Sequence, residues 1–159
     1  MTAGLEFQRL TASDDLAQVL DIDRESFSTP WSREMYERDL EHAHAYLIVA
    51  RRAGGTAAGY CSFWLVIDEV HINNVAVRKS YRRQGIGRAL VDHVLELGQA
   101  LGARSATLEV RSANVAARDL YASAGFRERG IRRRYYSNPE DDAVVIWAEI
   151  QIVGTAPAS

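Results

Sequence analysis

The sequence predicts an α/β fold of the α+β kind: one mixed sheet with helices on both of its faces. Three observations carry this. Strand-like and helix-like segments follow one another in the order β-α-α-β-β-β-α-β-α-β-β, which fits helices packed on both faces of a sheet. A strand, a basic loop with two glycines and a helix run consecutively from His71 to Leu101, the unit around which the rest is organised. No internal repeat or linker interrupts the chain. A single domain is therefore expected over residues 1–153, with a tail at 154–159.

Leu5 to Leu10 reads as a short first strand. Ser13-Asp14-Asp15 supplies an N-cap and an acidic first turn, and Leu16, Val19, Leu20, Ile22 and Phe27 then recur at helical spacing. Ser32 can cap a second helix to about Leu40, with Met35, Tyr36 and Leu40 on its apolar side. Pro30-Trp31-Ser32 forms the corner between the two, either a packed linker or one wall of a substrate groove. Tyr46–Ala50 and Ala58–Val66 read as a hairpin turned by Gly54-Gly55.

Asp68-Glu69 opens the next strand, where the apolar phase slips. Val70 and Ile72 are two apart, as are Val75 and Val77, but three positions separate the pairs. A β-bulge at Asn73-Asn74 would absorb the slip, and bulges re-aim strands near functional sites. A strand buried on both faces, where alternation is uninformative, is the other reading. After Gly87, residues Ala89, Leu90, Val94, Leu97 and Leu101 form a helical stripe ended by Gly102. Ser105–Val110 is a strand. Asn114 caps a helix through Ala124 that Gly125 closes, and Phe126–Tyr136 is extended. Asn138 to Asp142 is an acidic turn, and Val144–Ile150 is the last strand.

The 159 residues, 47% of them hydrophobic, can build an ordinary core without covalent staples. A net charge of −2 argues against general nucleic-acid binding. The lone Cys61 excludes a disulfide framework or a zinc cluster, and no metal is expected. No apolar run approaches the roughly 18 residues of a membrane span. Met1 to Gln8 lack a signal layout, so a cytoplasmic location is expected.

The loop between strand and central helix carries Arg78, Lys79, Arg82, Arg83 and Arg88 at its borders. Gly85 and Gly87 stand at the helix start, where free N–H groups and the positive dipole end favour anions. This is a site for a phosphorylated ligand. Gly85-x-Gly87-x-x-Leu90 resembles a dinucleotide fingerprint, and Glu109 lies roughly 20 residues further on. But its third small position is Leu90, and Arg78 to Gln84 separate the strand from Gly85. A Walker loop needs Gly-Lys-Ser/Thr, which is lacking. What remains is Arg82-x-x-Gly85-x-Gly87, and with it the sequence resembles the GNAT acetyltransferase superfamily. Its pyrophosphate loop follows a bulged strand with the pattern Arg/Gln-x-x-Gly-x-Gly/Ala, and the element order matches that fold from end to end.

Transfer of an acetyl group from a thioester to an amine needs a base for the ammonium proton and an acid for the departing thiolate. Glu109 ends the strand after the central helix, at the carboxyl edge where such sheets bind ligands. Tyr121 lies on the next helix, and its hydroxyl, with an ordinary pKa of about 10, can protonate a thiolate. Taken alone, Glu109 could instead be half of an ion pair with Arg111, and Tyr121 a core residue.

A narrower resemblance covers roughly Phe27 to Ile150. Pro30-Trp31-Ser32, Asn74-Val75-Ala76-Val77, Tyr81 to Gly87, Leu108-Glu109-Val110-Arg111-x-x-Asn114, Leu120-Tyr121 to Gly125-Phe126, and Arg134-Tyr135-Tyr136 occur in the order found in bacterial ribosomal-protein alanine N-acetyltransferases. The resemblance implies acetyl-CoA as cosubstrate, Glu109 as proton acceptor and Tyr121 as proton donor. It implies backbone pairing of Val75, Ala76 and Val77 with the pantetheine arm. Arg83, Gln84, Gly85, Ile86, Gly87 and Arg88 would hold the pyrophosphate, and Asn114 would also contact the coenzyme. The acceptor would be the N-terminal peptide of a ribosomal protein, entering past Trp31, Tyr135 and Tyr136. The alternatives are a GNAT enzyme acting on other protein N-termini, lysines or a small amine, and an acyl-CoA-binding module without turnover.

Overall fold

The computed structural model describes residues 4–52, 55–137 and 139–150. The expected tail at 154–159, Gly54 of the first hairpin and Asn138 of the acidic turn lie outside them. The elements are β1 (Leu5–Leu10), α1 (Ala17–Ser26), α2 (Arg33–Leu40), β2 (Ala45–Arg52), β3 (Ala57–Val66) and β4 (Glu69–Val77), followed by a 3-10 turn (Lys79–Tyr81). Then come α3 (Ile86–Ala100), β5 (Ser105–Arg111), α4 (Val115–Ser123), β6 (Arg127–Tyr136) and β7 (Asp141–Glu149).

The strands form a seven-stranded sheet in the order β1-β2-β3-β4-β5-β7-β6. β4 and β5 run parallel, and the other neighbouring pairs are antiparallel. Two apolar clusters cover the two faces. One gathers Ile48, Phe63, Val70 and Leu108 beneath Leu90, Val91 and Val94 of α3 and Tyr121 of α4. The other gathers Leu47, Val49, Tyr60 and Ala76 beneath Val19, Leu20 and Ile22 of α1 and Tyr36 of α2. In β2 the alternation is clean: Tyr46, Ile48 and Ala50 face the first cluster, Leu47 and Val49 the second.

The phase slip in β4 is a bulge. Ser62 pairs with Asn74 and Phe63 with Ile72, so Asn73 has no partner of its own on β3. Because the bulge absorbs one residue, Val70, Ile72, Val75 and Val77 all face the first cluster. The strand is not simply buried on both faces. Just before the bulge, β4 and β5 also part company. Their parallel pairing covers Glu69–Ser105, Val70–Ala106 and His71–Thr107, and no later pair joins them among the described residues. The sheet therefore opens into a fork between the ends of β4 and β5.

Three local expectations are corrected. α1 begins at Ala17, and its N-cap position is Leu16, not Ser13. The Asp14 carboxylate folds back to accept the Thr11 N–H, which closes a local turn before the helix starts. The stripe of α3 is rotated: Ile86, Leu90, Val91, Val94 and Gly98 are buried, whereas Leu101 is 39% exposed. The signal missed was Gly98, whose lack of a Cβ lets the helix close on the sheet. A Cβ there would stand 2.5 Å from Val70 Cγ2. Asp141 and Asp142 belong to β7, where Asp141 pairs with Tyr136. Ser32 and Asn114 cap α2 and α4 as expected, accepting from the N–H groups of Met35 and Ala117. Among the described residues, no helix is long and apolar enough to cross a membrane.

Candidate active site

The fork's first arm ends in the glycine loop. The 3-10 turn leads from β4 to Arg83, whose φ is +65°, and to Gly85, whose φ is +80°. Gly85 is the N-cap residue of α3, and no side chain caps the helix. The N–H groups of the first turn thus meet no protein acceptor from a cap, and they carry the positive end of a 15-residue helix. Gly87 is not demanded by packing, since an added Cβ would make ordinary contact with Leu120 Cδ2 at 3.4 Å.

The arginines of the loop divide by task. Arg82 is scaffolding: its Nε donates to the Val77 carbonyl at 3.0 Å and its Nη2 to Ser26 Oγ at 3.4 Å. Arg78 Nε donates to the Ala57 carbonyl at 3.0 Å. Arg88 is shared between Asp92, at 3.0 Å, and Ser123 Oγ, at 3.2 Å. Gln84 Oε1 accepts from Arg52 Nη2 at 2.5 Å. Arg83 is exposed. The loop also receives support that local sequence does not signal: Glu25 Oε1 of α1 accepts the Lys79 N–H at 2.6 Å.

The second arm carries Glu109. Ser105, Thr107, Glu109 and Arg111 alternate with the buried Ala106, Leu108 and Val110, so Glu109 stands on the opposite side of β5 from the core residues. Its partners come from β6. Tyr135 Oη lies 3.5 Å from Oε2, and Arg132 Nη2 lies 3.8 Å from Oε1. Arg111 is not its partner. That guanidinium donates to the Ser137 and Pro139 carbonyls and lies 4.4 Å above the Tyr136 ring.

Tyr121 is 4% exposed, with its ring edge-on to Phe126 at 5.4 Å. Its hydroxyl makes no hydrogen bond among the described residues. Burial drives its pKa well above the usual tyrosine value, with smaller contributions from Cys61 and Tyr136. Tyr136 links the two candidates. Its pKa is pushed up to about 12, first by burial and next by the charge of Glu109, and it in turn contributes to raising the pKa of Tyr121.

The structure thus brings Tyr135 to Glu109, with the Tyr136 ring 5.0 Å from that of Tyr135, while Tyr121 packs on Phe126. Asn114 is exposed at the start of α4 with its Oδ1 used in capping. Trp31 packs on Tyr36, at 5.2 Å between ring centroids. Val75 and Val77 pack on the α3 face, and Ala76 on the α1 face. Among the described residues no group of three His, Cys, Asp or Glu side chains gathers in metal-binding fashion.

Comparisons with known proteins bear on the family and the fold. The model of the Acetyltransferase (GNAT) family matches residues 16–126. The ribosomal protein bS18-alanine N-acetyltransferase of Escherichia coli (strain K12) is 34% identical over 134 residues, 83% of this chain and 89% of that protein. The crystal structure of the ribosomal-protein-S18-alanine N-acetyltransferase from Escherichia coli superposes with a TM-score of 0.84 at 31% identity, covering 95% of this chain and 97% of that one. A GNAT family acetyltransferase from Elizabethkingia anophelis, crystallised with acetyl-CoA bound, shares the fold at 19% identity and a TM-score of 0.77, covering 92% of this chain and 99% of that one.

Proposed function

The chain belongs to the acetyltransferase (GNAT) family and is an N-acetyltransferase, and from that premise we propose that it moves the acetyl group of acetyl-CoA to the N-terminal alanine amine of a ribosomal protein of the bS18 kind. It does so as a single domain over residues 1–153, in the cytoplasm. The observation that carries the reading is the fork. One arm, Val75 to Val77, runs into an uncapped helix N-terminus behind a glycine with φ of +80°, and the other arm carries Glu109.

The pyrophosphate of acetyl-CoA is held by the first-turn N–H groups of α3 and the loop from Arg83 to Arg88. Charge-assisted hydrogen bonds of this kind are the strong ones. The pantetheine amides lie in the fork and pair with the backbone of Val75 to Val77, taking the ladder positions that β5 leaves at the bulge. Asn114 contacts the coenzyme from the start of α4. The acceptor enters from the side of Trp31, Tyr135 and Tyr136.

Glu109 takes a proton from the acceptor ammonium, and the free amine attacks the thioester carbonyl. The tetrahedral adduct collapses, the C–S bond breaks, and Tyr121 gives its proton to the leaving thiolate; the second proton shed by the amide nitrogen restores Tyr121, and the proton taken by Glu109 is released to solvent. The raised pKa of Tyr121 keeps its proton in place at neutral pH.

The test is acetyl transfer to a peptide panel read by fragmentation mass spectrometry. It includes alanine N-termini of small-subunit ribosomal proteins, other N-termini, internal lysines and small amines. Selective modification of the alanine α-amine is expected. Transfer only to lysines or small amines would move the enzyme to another acceptor class. Tight acetyl-CoA binding without any transfer would make it a binding module.

A further inference from the structure

Among the described residues, Asp23 is the one charged side chain in the buried interior, at 1% exposure. It lies in α1 within the cluster of Leu16, Val19, Ile22, Leu47 and Val49. Its Oδ2 accepts from Tyr36 Oη of α2 at 2.5 Å, and its Oδ1 accepts from Tyr60 Oη of β3. The two hydroxyls are 3.1 Å apart, and the backbone N–H of Trp31 also turns toward the carboxylate.

A carboxylate in such a place is costly, and apolar side chains of similar volume would fill the space without that cost. What the carboxylate adds is direction. With acceptor sites on both oxygens it collects hydroxyl donors from two separate elements, α2 and β3, and the connection at 27–32 spans from α1 to the first of them. The same helical turn reaches the cofactor side through Glu25 on the Lys79 N–H and Ser26 on Arg82. β4 and β5 are parallel, so the turn that follows β4 and the end of β5 share one edge of the sheet. The connection at 27–32 therefore stands on the edge where Glu109 emerges.

We propose that Asp23 is a positioning residue for the acceptor: it fixes residues 27–36 against β3 and, through the last turn of α1, against the glycine loop, so that the acceptor amine is presented to Glu109. This rests on the peptide-acceptor reading above. Tyr36 and Tyr60 act with Asp23, each supplying one hydroxyl that a phenylalanine would remove while keeping the ring in the core.

The test has two readouts on Asp23→Asn, Tyr36→Phe and Tyr60→Phe. The first is hydrogen exchange of backbone amides, which needs no acceptor. Faster exchange over residues 27–36, with residues 79–88 unchanged, is expected; unchanged exchange over 27–36 overturns the positioning role. The second is initial-rate kinetics with the best peptide of the panel. The acceptor KM should rise about tenfold, the equivalent of one lost hydrogen bond, with the acetyl-CoA KM unchanged. An equal rise in both constants, or none in the acceptor KM, overturns it. If the wild type modifies no peptide amine, the acceptor role falls with the parent reading, and the exchange data alone decide whether Asp23 holds the connection. Should Asp23→Asn fail to fold, the two phenylalanine variants carry both readouts.

Discussion

Tyr135 reaches across from β6 to place its hydroxyl 3.5 Å from Glu109 Oε2, while the expected partner, Arg111, is held elsewhere on the hairpin carbonyls. Glu109 is therefore only loosely held, by one long hydrogen bond and one exposed arginine at 3.8 Å.

Glu109→Gln keeps the shape and removes the basic group. Turnover should fall by about 10²- to 10⁴-fold, the usual contribution of a positioned general base. Acetyl-CoA affinity, measured by calorimetry, should be unchanged. Loss of coenzyme binding would instead make Glu109 structural.

Tyr121→Phe removes a hydroxyl that makes no hydrogen bond among the described residues, so stability should change by less than about 1 kcal/mol. The single-turnover rate of acetyl transfer should drop roughly 10²-fold. Because burial raises the Tyr121 pKa, its ionisation should not produce an alkaline fall in the wild-type rate near the ordinary tyrosine value. Unchanged transfer by the variant would remove Tyr121 from the acid role.

Gly85→Val puts a branched side chain at φ of +80°, where only glycine is unstrained, and over the proposed phosphate site. The acetyl-CoA KM should rise by at least about tenfold, given the several charge-assisted bonds at stake. Normal coenzyme binding by a folded variant would contradict the loop assignment.

Gly59 tests the cofactor strand from behind. A Cβ there would stand 2.7 Å from the Ala76 carbonyl oxygen and 3.2 Å from Leu90 Cδ1. Backbone cannot yield as a side-chain tip can, so Gly59→Ala should cost about 1–3 kcal/mol in denaturant unfolding, as overpacking does. It should also raise the acetyl-CoA KM, because the displaced atoms belong to β4. A destabilised variant with normal coenzyme affinity would separate the strand's packing from its proposed ligand role.

Asp23 predicts a pH dependence of stability. Desolvation raises its pKa, against the opposing pull of its tyrosine and backbone hydrogen bonds. The folded state then binds this proton more tightly than the unfolded chain. Stability contributed by the residue is present below the ordinary carboxylate pKa of about 3.9 and declines as pH rises through the folded value. Denaturant midpoints of wild type and Asp23→Asn at several pH values should show the wild type losing ground between acid and neutral pH. A pH-independent difference would mean that folding does not raise this pKa.

The phase slip between Ile72 and Val75 pointed to the bulge that the strand pairing shows, because side-chain period two needs an extra residue to keep these four apolar residues on one face. Ser32 and Asn114 were legible for a similar reason: a cap is satisfied within three residues of itself. The glycine turn at the start of α3 was readable because its backbone conformation is set within one short stretch. Tertiary structure alone decided what depends on strands distant in the chain. Arg111 is two residues from Glu109, yet Arg132 and Tyr135 took its place because the β6–β7 hairpin folds across β5. Nothing in the spacing of the first helix marks Asp23; its role is set by Tyr36 and Tyr60, which converge on it from two other elements. Periodicity and capping are local and are written in neighbouring residues. The partner of a charge is set by which segments packing brings within a few ångströms, and no spacing along the chain encodes that.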